Sequence, residues 1–426
     1  MEIFFEVQQG DKCPADHVHF FGQQYPNHEP PVCVSRLHAC RTARARHLHA
    51  TERVLQVFDA AAAPSGRTTV LRGVCRIPRP EPLIASESGR ARPPLNRRAA
   101  RSTVQRWRFR DRLTQQETSV STQELLNAST AVEEVADRVY AYVQSDGGWC
   151  LNNAGIVVGN DRTTLVDTVA TESRALRLRE AVRSLTPHPV STVVNTHFHG
   201  DHVFGNFVFA PDAVVVAHED CRGEMAAAGL HLTSLWPDVC WGELTVTLPT
   251  LTFRDRLTVH TGDIRAEVLH LGPAHTTNDA VVWLPEQRVL FTGDLVMSGV
   301  TPFCPMGSVA GSLEAIERLR ALDPVTLVTG HGPVGGPELL DTAENYLSWV
   351  QRTARAGLAA GLTPLEIAGE TDLGEFAELL DAERLVPNLH RACAEERGLA
   401  PGAPMDIGAL FKEMIEHHGG LPVCRA

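Results

Sequence analysis

Lysine is almost missing from this 426-residue sequence: Lys12 and Lys412 stand beside 37 arginines. The bias resembles that of a GC-rich coding sequence and carries no functional weight. Long apolar runs are missing as well. No stretch approaches the ~18 residues that would suggest a membrane span. The opening MEIFFEVQQGDKC has no basic stretch, apolar core or small-residue cleavage site of a secretory signal. These absences lead to the expectation of a soluble, cytoplasmic protein with no membrane partner. The ten cysteines include no CxxC pair. In a chain of this length that pattern points to reduced thiols over a disulfide framework.

What is present is unevenly distributed. Residues 1–118 carry 18 Arg and one Lys against 11 acidic residues, whereas the remainder carries 20 basic against 40 acidic. The first part is rich in Arg, His and Pro, with little periodic apolar surface to offset the entropy of ordering. Residues 1–118 are therefore expected to be a disordered basic leader. Few aromatics accompany its arginines, which argues against a nucleic-acid arm. A catalytic domain is expected over 119–350 and a helical extension over 351–426.

Strand-like runs occur at VYAYVQ, AGIVVG, TTLVDTV and STVVNT, with an amphipathic helix at ESRALRLREAVRSL between the last two. VVVAHE, LTVTLPTLTF, RLTVH, IRAEVLHLG, DAVVWLP, RVLFTGD and VTLVTGHG read as further strands. SLEAIERLRAL and ELLDTAENYLSWVQRTARAG read as helices. Clustered strands mixed with βα units predict an α/β or α+β fold of two sheets with helices outside them. The helices beyond 350 could cover a pocket or form a dimer face.

The chemistry is concentrated at residues 196–202, which read THFHGDH directly after a strand. His197 and His199 are two apart, so an extended backbone points both the same way. Gly200 permits a sharp turn, after which Asp201 and His202 can face a second position nearby. Imidazole and carboxylate are the donors preferred by zinc and other first-row metals. Unpaired, so many polar groups packed together would be costly. His275 in GPAHTTND, Asp294 in LFTGD and His331 in VTGHG each follow a strand and lie near glycine. Such residues converge on one rim of a sheet scaffold, where these folds place their chemistry. GHGPVG at 330–335 spells a dinucleotide-like GxGxxG. Arg355 stands where the acidic partner would be needed, and His331 accounts better for the turn. His218 is read as structural.

The order HxHxDH, then His, Asp and His, resembles the metallo-β-lactamase superfamily over roughly residues 132–350, and Asp167 in TLVDT matches that family's early, mainly structural aspartate. The resemblance implies an αββα sandwich with a metal site at one edge of the paired sheets. Carried over, His197, His199 and His275 would hold a first metal and Asp201, His202 and His331 a second, with Asp294 bridging them. An aspartate at the bridging place is similar to the glyoxalase II branch, and it speaks against antibiotic hydrolysis.

The implied cofactors are two divalent metal ions, zinc first, with iron or manganese also suited to these donors. Two such metals about 3.5–4 Å apart make a bound water acidic enough to yield hydroxide at neutral pH. That hydroxide would attack an ester, thioester, lactone or amide, and Asp201 would be the catalytic residue that orients it and takes its proton. The strongly acidic composition beyond residue 118 disfavours nucleic acid as a partner, so a small-molecule substrate is expected, carrier-bound acyl or polyketide chains included. Trp236, Trp241, Met297, Phe303 and Met306 are candidates for an apolar pocket wall. TSLWPDVCWG, VMSGVTPFCPMGSVAGS and the tail with NLHRACAE look similar to family members of secondary metabolism, implying a polyketide cyclase/thioesterase as an alternative. A mononuclear iron dioxygenase on the same scaffold is another.

Overall fold

The computed structural model describes residues 130–426, Ser145 excepted, together with a two-residue pairing of Phe4–Phe5 with Phe20–Phe21. The expectation for residues 1–118 otherwise lies outside the described residues.

Seven strands form the first sheet in sequence order: β1 (Thr130–Ala136), β2 (Val139–Gln144), β3 (Ala154–Val158), β4 (Thr163–Val166), β5 (Val190–Val194), β6 (Val214–His218) and β7 (Leu251–Phe253). Pairing is antiparallel from β1 to β4 and parallel from β4 to β7. The change of direction follows from α1 (Glu172–Leu185), which makes the crossover from β4 to β5 that a parallel pair requires. Thr171 caps that helix through its side chain.

The second sheet has five strands, β8 (Arg256–Thr261), β9 (Ile264–His270), β10 (Ala280–Leu284), β11 (Val289–Gly293) and β12 (Thr326–Thr329). The helices α2 (Gly200–Val203) and α3 (Glu219–Ala228) follow β5 and β6; in the second sheet only β11 and β12 are parallel, and α4 (Val309–Ala321) lies between them in sequence.

Side-chain alternation explains why the sheets stack. On β2, Val139, Ala141 and Val143 face inward, and on β9 Ile264, Ala266 and Val268 do the same. With Val282, Leu284 and Phe291 they form the core between the sheets. The other face of the first sheet, with Ile156, Leu165 and Val193, is covered by Leu178 and Val182 of α1. Trp283, Leu290 and Leu327 of the second sheet pack instead with α4 and α5 (Glu338–Ala359). The result is the expected helix–sheet–sheet–helix sandwich. α6 (Pro364–Glu370), α7 (Leu385–Glu396) and α8 (Ile407–His418) add a helical layer against α5. No helix among the described residues is long and apolar enough to cross a membrane.

The run LTVTLPTLTF is the clearest departure from the sequence reading. Only Leu251–Phe253 is strand, and residues 245–250 are irregular. β-branched residues there favour a strand locally, but only Thr250, at the end of the run, bonds a neighbouring strand, its N–H reaching the Val215 carbonyl. β1 shows the reverse. Its central residues Ala131–Glu134 are all exposed, so this edge strand lacks an apolar pattern and rests on its pairing with β2.

Candidate metal centre

All seven donors anticipated from the sequence are brought together where strands end. Asp167 follows β4, and Thr196, His197 and His199 follow β5. Asp201 and His202 sit in the short helix α2 (Gly200–Val203). His275 lies in the β9–β10 connection, Asp294 directly after β11 and His331 two residues beyond the end of β12.

The donor atoms fall into two groups. In the first, His197 Nε2 and His275 Nε2 lie 3.1 and 2.8 Å from His199 Nδ1. In the second, Asp201 Oδ2 lies 3.3 Å from His331 Nε2 and 3.9 Å from His202 Nε2. Asp294 stands between them. Its Oδ2 is 3.4 Å from His275 Nε2 and 3.4 Å from His331 Nε2, and its Oδ1 is 3.1 Å from His202 Nε2.

The outward nitrogens of four histidines are held by partners that fix the tautomer. His202 Nδ1 donates to Asp167 Oδ2 at 2.8 Å, His331 Nδ1 to the Gly147 carbonyl at 2.9 Å, and His275 Nδ1 to the Phe303 carbonyl. Thr196 Oγ1 donates to Asp167 Oδ2 at 2.7 Å, leaving the hydroxyl oxygen to accept from His197 Nδ1 at 3.0 Å. Each arrangement leaves an Nε2 lone pair facing the centre, as metal-binding histidines are commonly held. Asp167 does more than cap a turn. It adopts a left-handed backbone at φ 61° and also accepts the Thr196 N–H at 2.7 Å. Thr196 and the Gly147 and Phe303 carbonyls were not legible in the sequence. A main-chain carbonyl leaves no residue-type signal, and a lone threonine beside a histidine is common.

The residues fit a metal. His202 Nε2 and Asp294 Oδ1, though 3.1 Å apart, are buried and make no hydrogen bond to each other or to any other group. Two imidazole lone pairs face the single Nδ1 of His199, which has at most one proton to share between them. A cation resolves that excess of acceptors. Burial holds His199 at about 3 and His275 at about 4, so both are neutral donors at pH 7. Burial opposes charge on His331 too, but Asp294 and Asp201 outweigh it and raise that imidazole to about 9. His202 is likewise raised, by Asp294, Asp167 and Asp201 against its burial. Three carboxylates thus demand positive charge here, from protons if not from metal.

Asp167→Asn is expected to lower metal affinity roughly 10–100-fold with the fold intact, because an amide can present an N–H to His202 Nδ1 in place of an acceptor. Competition with a chromophoric chelator reads this directly, and unchanged affinity would deny Asp167 its orienting role.

His199, Asp201, His275, Asp294 and His331 line a cavity of roughly 560 Å³. Its walls are mostly apolar and include Trp149, Phe204, Met297, Phe303, Met306 and Phe411. Of the five wall candidates named from sequence, Met297, Phe303 and Met306 are in place. Trp236 and Trp241 are not. They are core residues whose indole N–H groups donate to the Pro422 carbonyl at 2.7 Å and the Trp236 carbonyl at 3.0 Å. Arg391, Ala403, Ile407 and Phe411 show that the residues beyond 350 cover this cavity. His218 is structural, as expected: its Nδ1 accepts the Asp220 N–H at 3.2 Å and its ring stacks on His270 at 4.0 Å.

Residues 147–331 match the family model of the metallo-beta-lactamase superfamily. A metallo-beta-lactamase type 2 from Bacteroides fragilis is 24% identical over 237 residues, covering 53% of this chain and 88% of that protein. A hydroxyacylglutathione hydrolase from Synechococcus is 30% identical over 139 residues, covering 32% of this chain and 46% of that protein. Among solved structures, a metallo-beta-lactamase from Pontibacter korlensis superposes with a TM-score of 0.43 at 24% identity, covering 51% of this chain and 99% of that one. With the family match spanning Gly147 to His331 and the donors in the family's order, residues 147–331 form a metallo-β-lactamase superfamily domain.

Proposed function

We propose that this protein is a hydrolase of small acyl substrates that works with two divalent metal ions, zinc suiting the donors best. The observation that carries the reading is Asp294, whose two oxygens are divided between a group of three histidines and a group of two histidines and an aspartate. His197, His199 and His275 would hold one ion, Asp201, His202 and His331 the other, and Asp294 would join them. Bound metal would supply a water acidic enough to attack at neutral pH and a Lewis acid for the substrate oxygen.

The chain's own residues do the rest. Trp149, Phe303 and Met306 hold the apolar part of the substrate and keep bulk water from the centre. Asp201 is buried at the cavity floor and directs Oδ2 to the centre. Its Oδ1 can then take the proton released as a water attacks the acyl carbon and pass it to the departing oxygen, sulfur or nitrogen. A relative named a hydroxyacylglutathione hydrolase supports acyl chemistry. The size and aromatic walls of the cavity also suit a polyketide cyclase/thioesterase acting on a carrier-bound chain. A mononuclear iron dioxygenase is less favoured, because it would not require Asp201, His202 and His331 to converge.

Elemental analysis with a chelation assay tests the proposal. About two zinc or manganese ions per chain are expected. Hydrolysis of aryl esters or thioesters should be lost on chelation and restored by the metal. One iron per chain with oxygen consumption would sink it.

A further inference from the structure

Two cysteines outside the donor set meet beside the metal centre. Cys150 is buried in the cavity wall and has a left-handed backbone at φ 67°, a region sparsely used by residues other than glycine. Cys424 keeps some exposure and lies in the segment 421–426. The Arg425 N–H donates to the Trp149 carbonyl at 3.1 Å. The peptide group before Cys150 is thus bonded to the one after Cys424, which sets the two residues side by side. Both thiols are free, and they share a hydrogen bond. That bond holds Cys424 below the usual thiol range and, with burial, pushes Cys150 well above it. Cys150 therefore donates, and Cys424 is the thiol that ionises first.

The segment 421–426 is a strap on the loop 146–151. Arg174 Nη2 donates to the Arg425 carbonyl at 3.0 Å, Arg425 pairs with Asp146, and Trp236 Nε1 holds the Pro422 carbonyl at 2.7 Å. The loop carries Gly147, whose carbonyl accepts from His331 Nδ1 at 2.9 Å. Among the described residues no third donor joins the two sulfurs to make a metal site. A disulfide needs neighbouring backbones and converging side chains, and this pair has both.

We infer that Cys150 and Cys424 are a redox-active pair, which a hydroperoxide closes into a disulfide that locks the strap onto the loop orienting His331. The Cys424 thiolate attacks the peroxide O–O bond, which breaks to give a sulfenic acid and, after protonation, water. The Cys150 sulfur then displaces the sulfenic oxygen. The S–S bond forms, the S–O bond breaks, and the Cys150 proton leaves with that oxygen as a second water. The thiols lose two electrons and the peroxide gains them. A dithiol reductant reverses the closure. None of this rests on the hydrolase reading.

The test treats the purified protein with hydrogen peroxide, alkylates the remaining thiols after unfolding and maps a non-reduced proteolytic digest by mass spectrometry. A linked Cys150–Cys424 peptide is expected, at peroxide levels that leave the buried Cys221, Cys304 and Cys393 open to alkylation. Dithiothreitol should remove the link. Cys150→Ser should leave Cys424 as a sulfenic acid that dimedone traps, and Cys424→Ser should leave Cys150 reduced. Amide exchange over 146–151 should slow by roughly tenfold or more on oxidation, because opening the loop then requires opening the strap. Cys424→Ser should show no such change. If Cys150→Ser does not fold, the wild type and Cys424→Ser still decide. Both thiols intact after peroxide, oxidation that halts at Cys424 in the wild type, or a link without slower exchange at 146–151 would each overturn the inference. Link and exchange are read without turnover, so failure of the hydrolase reading leaves them untouched.

Discussion

Asp294→Ala is expected to yield protein with well under one metal ion per chain and a hydrolytic rate lower on the order of 10³-fold, above the roughly 10–100-fold that follows loss of an outer hydrogen bond to a ligand. The reason is position. Asp294 is buried, and its two oxygens contact histidines of both groups. Alanine removes the negative charge both ions would share and leaves four imidazole lone pairs facing one another. His331→Ala is the informative contrast. His331 belongs to the second group, and His197, His199 and His275 keep their geometry without it. About one metal per chain should remain, with the rate still strongly reduced. Elemental analysis of both variants beside the wild type separates the cases. Two metals retained in Asp294→Ala would refute the bridging role.

Gly147→Ala should be nearly as damaging, although position 147 contributes no side chain to the centre. Gly147 has φ 71°, and a Cβ there would meet the Gly332 nitrogen at 2.3 Å and its Cα at 2.7 Å. These are backbone atoms that cannot rotate away. Gly332, at φ 81°, is in turn packed so that its own Cβ would meet the Ser298 carbonyl oxygen at 1.8 Å. Close approach of these two loops places the Gly147 carbonyl 2.9 Å from His331 Nδ1. A left-handed alanine costs roughly 1–2 kcal/mol and overpacking roughly 1–3 kcal/mol more. A destabilisation of about 2–5 kcal/mol follows, with selective weakening of the second metal. Denaturant unfolding and metal titration measure the two effects. A stable variant that still binds two metals would show that this loop contact does not position His331.

Much of this protein is written locally. The helix at ESRALRLREAVRSL occupies Glu172–Leu185 because its amphipathic period and the Thr171 cap act over a few residues. The buried strands behave alike, since alternation along β2 and β9 selects the inward face without reference to distant residues. The seven donors were legible for a related reason. Histidine and aspartate beside glycine at strand ends are uncommon enough in combination to mark a centre before any distance is known. Where a strand ends is local; which strand ends meet depends on the sheet order.

Other features depend on partners far away in sequence. β1 exists because β2 pairs with it, and LTVTLPT is irregular until Thr250, whose N–H reaches the Val215 carbonyl of β6 at 2.9 Å. Trp236 and Trp241 carry the same apolar character as Phe303, yet only Phe303 faces the cavity. Hydrophobicity says that a side chain will be buried, and packing decides against what. The hydrogen bonds from His331 to Gly147 and from His275 to Phe303 end on carbonyls, which every residue possesses. Arg391 is one arginine among many until the fold buries it and sets its guanidinium against the Pro305 and Ala403 carbonyls. The sequence by itself determined the candidate donors, their order and the family they resemble, because those rest on residue type and short-range spacing. Tertiary structure alone decided how the donors are oriented and what walls the cavity, because those properties arise only when distant segments exclude water from one another.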